Sequence, residues 1–510
     1  MKAFMFGFLF LLTAFSASFG QQVNLSVENL GQDCDASYKA LLSTASSAFP
    51  DPFAMHGGTR ISDKSEWGCR RNEVKKDLEQ YEIGPKPAPS TATVTATYSG
   101  STLTVKVTTK DGSINITSNV SGSGNCVAIG MNGNAGSISG CKQIPFNHDQ
   151  VVTYANGSGS HNTNDPFYTV YPDLKGKIGK YAAWSWGISR LIDGIVLVKD
   201  QLGVDVTKIG IQGCSYAGKM ALFGGALDER VTLTVVQESG GGGINAWRAS
   251  KAFTARTGTN IEKIDNTNYS WFLSSMRNLD PDKLPHDHHQ LIAMIAPRAT
   301  IILGNPDMVW LGDESGYRST IAARKVWQAF GVPDYIGFDF AAGHSHCQAA
   351  SSQTTNVNAF VNRFLKGQSA NTNISANRPT GTNDDGKNVT FNLDTAFSWT
   401  VPNLTGTYGS VTPSPSPTSS SSAVASSSSR AASSSSVAVS SSSGTLSSSS
   451  IAVSSSSTGT TPITNHSPLA TSHSPTYYTL KGEPLGNAAP QKAGIYIVKQ
   501  GNSIKKIIVK

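Results

Sequence analysis

Beyond its first twenty residues, this sequence has no apolar run approaching the about 18 residues that a membrane-spanning helix needs. Nothing further along the chain therefore reads as a membrane span. No pair among the six cysteines has the close spacing of a zinc site, which discounts a structural metal. The main part of the chain also lacks a basic patch, although the formal net charge is +7. Lys481, Lys492, Lys499, Lys505, Lys506 and Lys510 gather in the last 30 residues instead. Nucleic-acid binding is not implied by this distribution. It fits weak attraction to an acidic polysaccharide or a cell surface.

The N-terminus has the pattern of an export signal. Lys2 supplies positive charge, Ala3 to Ala14 is apolar, and Ser18 and Gly20 are small residues before Gln21. The expectation is a signal peptide over 1–20 and a secreted or surface-attached product. The competing reading is an N-terminal membrane anchor. An even cysteine count in an exported chain suggests three disulfides among Cys34, Cys69, Cys126, Cys141, Cys214 and Cys347. Spacing alone does not choose the pairing.

Composition shifts near Val411, and from there to Thr461 the chain is Ser with some Thr, Pro, Ala and Val. Such a stretch buries too little apolar surface to offset its ordering entropy, so it reads as a solvated linker. The expected organisation is a main domain over 21–410, the linker over 411–461 and a small basic domain over 462–510. In the first domain, Thr91–Val107 alternates apolar and polar residues about Ser99-Gly100, the pattern of a hairpin. Helical and strand patterns then alternate. Helices are expected over Trp184–Leu202, Gly218–Leu227 and Ile321–Phe330. Strands are expected over Val206–Gln212, Val231–Val236, Ala299–Leu303 and Ile336–Phe340. Strands alternating with helices argue a mostly parallel sheet covered on both faces.

The strand at Lys208–Gln212 runs into Gly213-Cys-Ser-Tyr-Ala-Gly218 and then a helix. This is the setting of a nucleophile elbow, a strained turn whose neighbours must be small. Ala217 stands where the usual pattern has Gly, so the turn is a variant. Ser is a poor nucleophile until a base takes its proton. Two histidines follow the last strand, in Ala342-Gly-His-Ser-His-Cys347. Cys214 precedes Ser215 and Cys347 follows His346, so a Cys214–Cys347 disulfide would clamp that loop to the elbow. His346 is then the base, and His344 a locally bonded loop residue. The acid that orients the base has two candidates, Glu238 and Asp307, each after a strand.

These residues, taken with several longer stretches, resemble the glucuronoyl esterases, carbohydrate esterase family fifteen. The resemblance covers about Asp51 to Leu404. It is carried by Gly58-Thr-Arg through Trp67-Gly-Cys-Arg70, Ala183-Trp-Ser-Trp-Gly-Ile-Ser-Arg-Leu-Ile-Asp193 and Gly213-Cys-Ser-Tyr-Ala-Gly-Lys219. Gln237-Glu-Ser-Gly240, Leu284-Pro-His-Asp-His-His289, Met308-Val-Trp-Leu-Gly312 and His346-Cys347 complete it. The fold it implies is the α/β-hydrolase three-layer sandwich. It assigns Ser215 as nucleophile, His346 as base and Glu238 as acid, with Asp307 retained as second candidate. It assigns Lys219 and Trp310 to the sugar of the uronic acid. It also implies the Cys214–Cys347 and Cys34–Cys69 bonds, which leaves Cys126 with Cys141.

The chain departs from the family in places. Tyr216 stands directly after the nucleophile, where the family usually has an Arg that helps bind the oxyanion. The Tyr216 backbone N–H can still serve, but the phenol has one proton to donate and no charge at pH 7. The family's other sugar-contacting Gln and Glu are expected around Thr259 and Asn268, where neither type stands. His286, His288 and His289 have a metal-like look, but open a helix at Leu291–Ile295 and have family counterparts without metal.

The resemblance implies hydrolysis of (4-O-methyl-)glucuronic acid esters, as in the lignin–carbohydrate links of glucuronoxylan. It calls for no cofactor and no nucleic acid, and a monomer is expected. An acetyl xylan esterase is the alternative enzyme, and a non-catalytic polysaccharide-binding protein the alternative of another class. The tail, Ala493–Gly501 to Lys510, reads as two short strands about a Gly-Asn turn. It resembles sorting or surface-attachment tails of exported bacterial enzymes, with secretion machinery or the cell surface as partner.

Overall fold

The structure, a computed structural model, describes residues 27–156, 162–383 and 386–409, and the backbone of four strands between Thr476 and Val509. The chain divides into two compact units, Met1–Thr418 and Ser419–Lys510, a division that falls inside the Ser-rich stretch. The expected signal peptide and linker lie outside the described residues.

The alternating run folds as strands β1 (Thr93–Ser99) and β2 (Thr102–Thr108), antiparallel, with Ser99 opposite Thr102. A third strand, β3 (Ser113–Asn119), extends the expected hairpin to a three-stranded sheet. One face of this sheet buries Leu103, Val105, Val107, Ile114 and Ile116.

The central sheet comprises β4 (Val127–Gly130), β5 (Lys142–Gln143), β6 (Ile209–Cys214), β7 (Leu233–Gln237), β8 (Ala299–Leu303), β9 (Ile336–Phe340) and β10 (Ser375–Asn377). Their order is β10-β9-β8-β7-β6-β4-β5, and every pairing is parallel. Strands β7, β8 and β9 are buried at every position, because helices cover both faces. Strands β8 and β9 coincide with the expected strands. Strands β6 and β7 begin later than expected, at Ile209 and Leu233. Asp205 accepts the Thr207 N–H at 3.0 Å and draws Val206 into a turn, and Val231 donates to Asp228 O.

The helix expected from Trp184 starts earlier and runs Lys180–Leu197, and a separate turn covers Lys199–Leu202. Its expected inward residues Ile188, Leu191, Ile192, Ile195 and Val198 are buried. The helix expected from Ile321 begins at Asp313. Its early turns are buried but polar: Ser315 Oγ donates to Ala246 O and Thr320 Oγ1 to Gly316 O. No apolar period marks them. The helix near the histidine cluster is His288–Ala293, earlier than expected, capped by Asp287.

Further on, β11 (Thr380–Thr382) and β12 (Asn388–Thr390) form a short antiparallel pair. In the second unit, β15 (Gly494–Gln500) and β16 (Ser503–Val509) form the expected hairpin. Two more strands, β13 (Thr476–Thr479) and β14 (Pro484–Gly486), join it in the order β14-β13-β15-β16. They are too short to show a period in the sequence.

Candidate active site

Strand β6 ends at Cys214, and the helix Tyr216–Leu227 starts two residues later. Between them Ser215 is held at φ 58°, ψ −127°, a conformation that side chains rarely adopt. The small flanking residues are a steric necessity. A Cβ on Gly213 would lie 2.0 Å from Ala217 O, and one on Gly218 would lie 2.4 Å from Gln237 O. Ala217, the departure from the usual pattern, is accommodated and buried.

Parallel register brings the other groups to the same edge. Cys214 pairs with Gln237, Gln237 with Leu303, and Leu303 with Asp339. Ser215 N–H donates to Gln237 O at 3.0 Å and Glu238 N–H to Leu303 O at 2.8 Å. Ser215, Glu238 and the loops after β8 and β9 therefore share the carboxyl end of the sheet. Four non-glycine residues among those described have positive φ: Asn132, Ser215, Glu238 and Cys347. Such strain gathers where tertiary structure over-determines a site.

His346 Nδ1 lies 2.8 Å from Glu238 Oε2, and Glu238 is fully buried while the His346 side chain is 31% exposed. With Nδ1–H turned to the carboxylate, Nε2 is the basic nitrogen. Three further donors hold Glu238: Cys347 N–H at 3.0 Å, Gln237 Nε2 at 2.9 Å and Asn305 Nδ2 at 3.1 Å. Asn305 also donates to His344 O at 2.7 Å, so one amide joins the β8 loop, the acid and the histidine loop. Sequence reading passed over Asn305. Its place two residues after β8 was the available signal. Behind it lies Asp313, whose carboxyl burial pushes up to about 8 against a hydrogen bond from the Asn305 backbone.

The second candidate acid is elsewhere. Asp307 is 43% exposed and ion-paired with Arg378. His344 Nδ1 lies 3.0 Å from Ser345 O and 3.7 Å from Glu238 Oε1, and its Nε2 lies 2.8 Å from Gln353 Oε1.

Cys34–Cys69, Cys126–Cys141 and Cys214–Cys347 are the three disulfides. The last closes a span of 133 residues and ties the turn at Ser215 to the loop of His346. A His346 nitrogen and these two sulfurs lie within 4.8 Å of one another. With the sulfurs bonded to each other, this is a covalent joint rather than a metal centre. By the chain-entropy estimate such a loop removes about 5 kcal/mol of unfolded-state freedom. Selective reduction should cut activity before the domain unfolds, because a displacement of about 1 Å at such a site costs about 100-fold in rate. Activity and near-ultraviolet circular dichroism followed together during reduction check this. Simultaneous loss of both would show that the bond serves only global stability.

Beside Ser215 lies a cleft of about 330 Å³, walled by Lys219, Glu262, Asn268, Trp271 and Trp310. A larger cavity of about 440 Å³, lined by Phe49, Arg70, Arg248 and Trp399, contains none of the groups just described. Lys219 Nζ sits 3.0 Å from Glu262 Oε2 and 5.5 Å from the centre of the Trp271 ring. Glu262 N–H donates to Trp310 O, and the Trp310 ring lies 5.1 Å from that of His346. Glu262 supplies a carboxylate to the cleft wall near Thr259. It stands three residues further on, in a stretch outside any helix or strand.

The histidine cluster has a different task. His286 Nε2 and His288 Nε2 each lie 2.8 Å from an oxygen of Glu82. Burial pushes the Glu82 carboxyl up, but the two histidines outweigh it and hold it well below the usual carboxylate range. His289 bonds Pro50 O, and burial lowers its pKa to about 4.

The parallel sheet, the strained turn and the carboxylate-held histidine define the class, an α/β-hydrolase. A family described as "Glucuronyl esterase, fungi" matches residues 94–331. A 4-O-methyl-glucuronoyl methylesterase of Podospora anserina is 36% identical over 69% of this chain and 74% of its own length. The glucuronoyl esterase catalytic domain of Hypocrea jecorina superposes with a TM-score of 0.64 at 33% identity, covering 71% of this chain and 98% of that one. A mutant Sporotrichum thermophile glucuronoyl esterase, crystallised with methyl 4-O-methyl-β-D-glucopyranuronate, gives 0.63 at 34% identity, over 68% and 95% of the two chains. The chain belongs to the glucuronoyl esterase family.

Proposed function

We propose that this protein is a serine carboxylesterase that hydrolyses esters of (4-O-methyl-)glucuronic acid, the links between glucuronoxylan and lignin alcohols being its natural class of substrate. The observation that carries the reading is the 2.8 Å contact of His346 with buried Glu238, beside the strained turn of Ser215. Ser215 Oγ attacks the ester carbonyl as His346 Nε2 takes its proton. The tetrahedral intermediate collapses, and His346 returns the proton to the leaving alcohol. Water then repeats the cycle on the acyl-enzyme. Glu238 keeps Nδ1 protonated and stabilises the imidazolium. The Tyr216 N–H, at the start of a helix where such groups lack an intrahelical acceptor, is one oxyanion donor.

Lys219, Glu262, Trp271 and Trp310 suit a hydroxylated ring, with donors and an acceptor between aromatic faces. The family's named relatives act on methyl esters of 4-O-methyl-glucuronate, which supports this substrate. Parallel assays test it. A benzyl glucuronate ester should be turned over and acetylated xylan should not. The reverse result would make the protein an acetyl xylan esterase. Retention on xylan without hydrolysis of either would make it a binding protein.

The rest of the reading is an exported monomer: a signal peptide over 1–20, the esterase over 21–410, a linker over 411–461 and an attachment or sorting tail over 462–510. Three disulfides support an oxidising compartment. No described helix is long and apolar enough to cross a membrane.

A further inference from the structure

We propose that the Asn132 side-chain amide is the second oxyanion donor, held in place by a one-directional hydrogen-bond chain through Tyr216 and His148 to Asp149. The proposal rests on the serine-esterase reading above.

Topology places Asn132 correctly. In α/β-hydrolases the second donor comes from the turn after a strand near the nucleophile, usually as a backbone N–H. Here β4 lies beside β6, with Gly130 paired to Gln212, so Asn132 stands two residues past the end of β4 as Cys214 and Ser215 stand two and three residues past Gln212. Neighbouring strands are about 4.8 Å apart. But the first two backbone amides after β4 are occupied. Met131 N–H donates to Gln212 O at 2.9 Å and Asn132 N–H to Phe146 O at 3.0 Å. Asn132 itself has φ 62°, a conformation Asn adopts more readily than most residues. It shares this strain with Ser215, Glu238 and Cys347 alone among the described non-glycine residues.

The direction of the chain follows from its far end. His148 Nδ1 lies 2.9 Å from Asp149 Oδ1, so the carboxylate fixes the proton on Nδ1. Burial lowers the His148 pKa against the pull of Asp149, which favours the neutral ring. Its Nε2 is then an acceptor, 3.2 Å from the Tyr216 hydroxyl. Tyr216 spends its single proton there and accepts from Asn132 Nδ2 at 2.7 Å. Each link polarises the next. Asn132 keeps a second amide N–H for a substrate oxygen, and its side chain is at an exposed position. Tyr216 is thus a positioning residue. Its ring is packed by Tyr154 at 4.5 Å and Trp271 at 5.9 Å. The hydrogen-bond chain thus presents an oriented neutral donor in place of a charged one.

Steady-state kinetics of the full chain on a benzyl glucuronate ester test this. Asn132→Gly removes the amide and tolerates the positive φ, so the fold is retained. Its kcat should fall about 10²- to 10³-fold, with KM unchanged, the usual loss for one oxyanion donor. Tyr216→Phe keeps the ring and loses the hydroxyl, and should show a smaller loss in kcat, again without change in KM. If Asn132→Gly stays within about threefold of wild type while Ser215→Ala is inactive, the proposal is overturned and the esterase reading stands. Wild-type turnover by Ser215→Ala would overturn the esterase reading instead. A larger loss for Tyr216→Phe than for Asn132→Gly would make the phenol the donor and also overturn the proposal.

Discussion

Ser215→Ala should lower kcat on a benzyl glucuronate ester by about 10⁶-fold, the scale on which serine hydrolases lose turnover when the nucleophile is removed. The missing oxygen is the atom that bonds to the carbonyl carbon, and the acyl-enzyme cannot form without it. A residual rate about 10³- to 10⁴-fold above the uncatalysed reaction should survive, because the oxyanion donors and the cleft still act on water attack. Folding should be unaffected. Ala has the smallest Cβ-bearing side chain, and Ser215 makes its structural bond to Gln237 O through its backbone N–H. Substrate binding should persist, so KM or a measured Kd separates loss of chemistry from loss of fold. Undiminished turnover in a folded variant would show that another group performs the attack.

Glu238→Gln should lower kcat by about 10⁴-fold, whereas Asp307→Asn should leave it nearly unchanged. A glutamine has the shape of the glutamate but presents either an oxygen or an NH₂ group to His346. The NH₂ group would favour the tautomer with its proton on Nε2, which cannot take the serine proton. With the oxygen towards His346, the NH₂ would face the donors Cys347 N–H and Gln237 Nε2. In neither orientation does the amide stabilise an imidazolium as a carboxylate does. Asp307 has no such contact and is paired with Arg378 at an exposed position. A large loss for Asp307→Asn with little for Glu238→Gln would move the acid to the β8 loop. Comparable partial losses would mean that the two carboxylates share the role.

The elements written most clearly in the sequence were those whose local pattern and tertiary setting agree. Strands β8 and β9, five residues each and mostly apolar apart from Thr300 and Asp339, have the bounds expected from the sequence. The elbow was legible because its steric demand is local: Gly213 and Gly218 must be small wherever the turn occurs. The buried polar turns of Asp313–Thr320 were illegible for the opposite reason. The hydroxyls of Ser315 and Thr320 are satisfied by carbonyls beyond and within the helix, so their burial leaves no apolar trace. Glu262 was missed because it lies in an irregular loop, where neither of the two regular periods applies.

By itself the sequence determined the class of fold, the turn that exposes Ser215, the pairing of cysteines next to Ser215 and His346 as a hypothesis, and a short list of acids. All of these follow from residue type, spacing and strand–helix alternation, which act over a few residues. Spacing left Glu238 and Asp307 both open, the family resemblance favoured Glu238, and parallel register and loop path are what bring Glu238 rather than Asp307 to His346. The tertiary structure alone brought Asn132, Tyr216 and His148 together across 84 positions of sequence. A hydrogen bond requires placement to a few tenths of an ångström between residues far apart in the chain. Sheet order and packing set that placement, and no one-dimensional pattern encodes it.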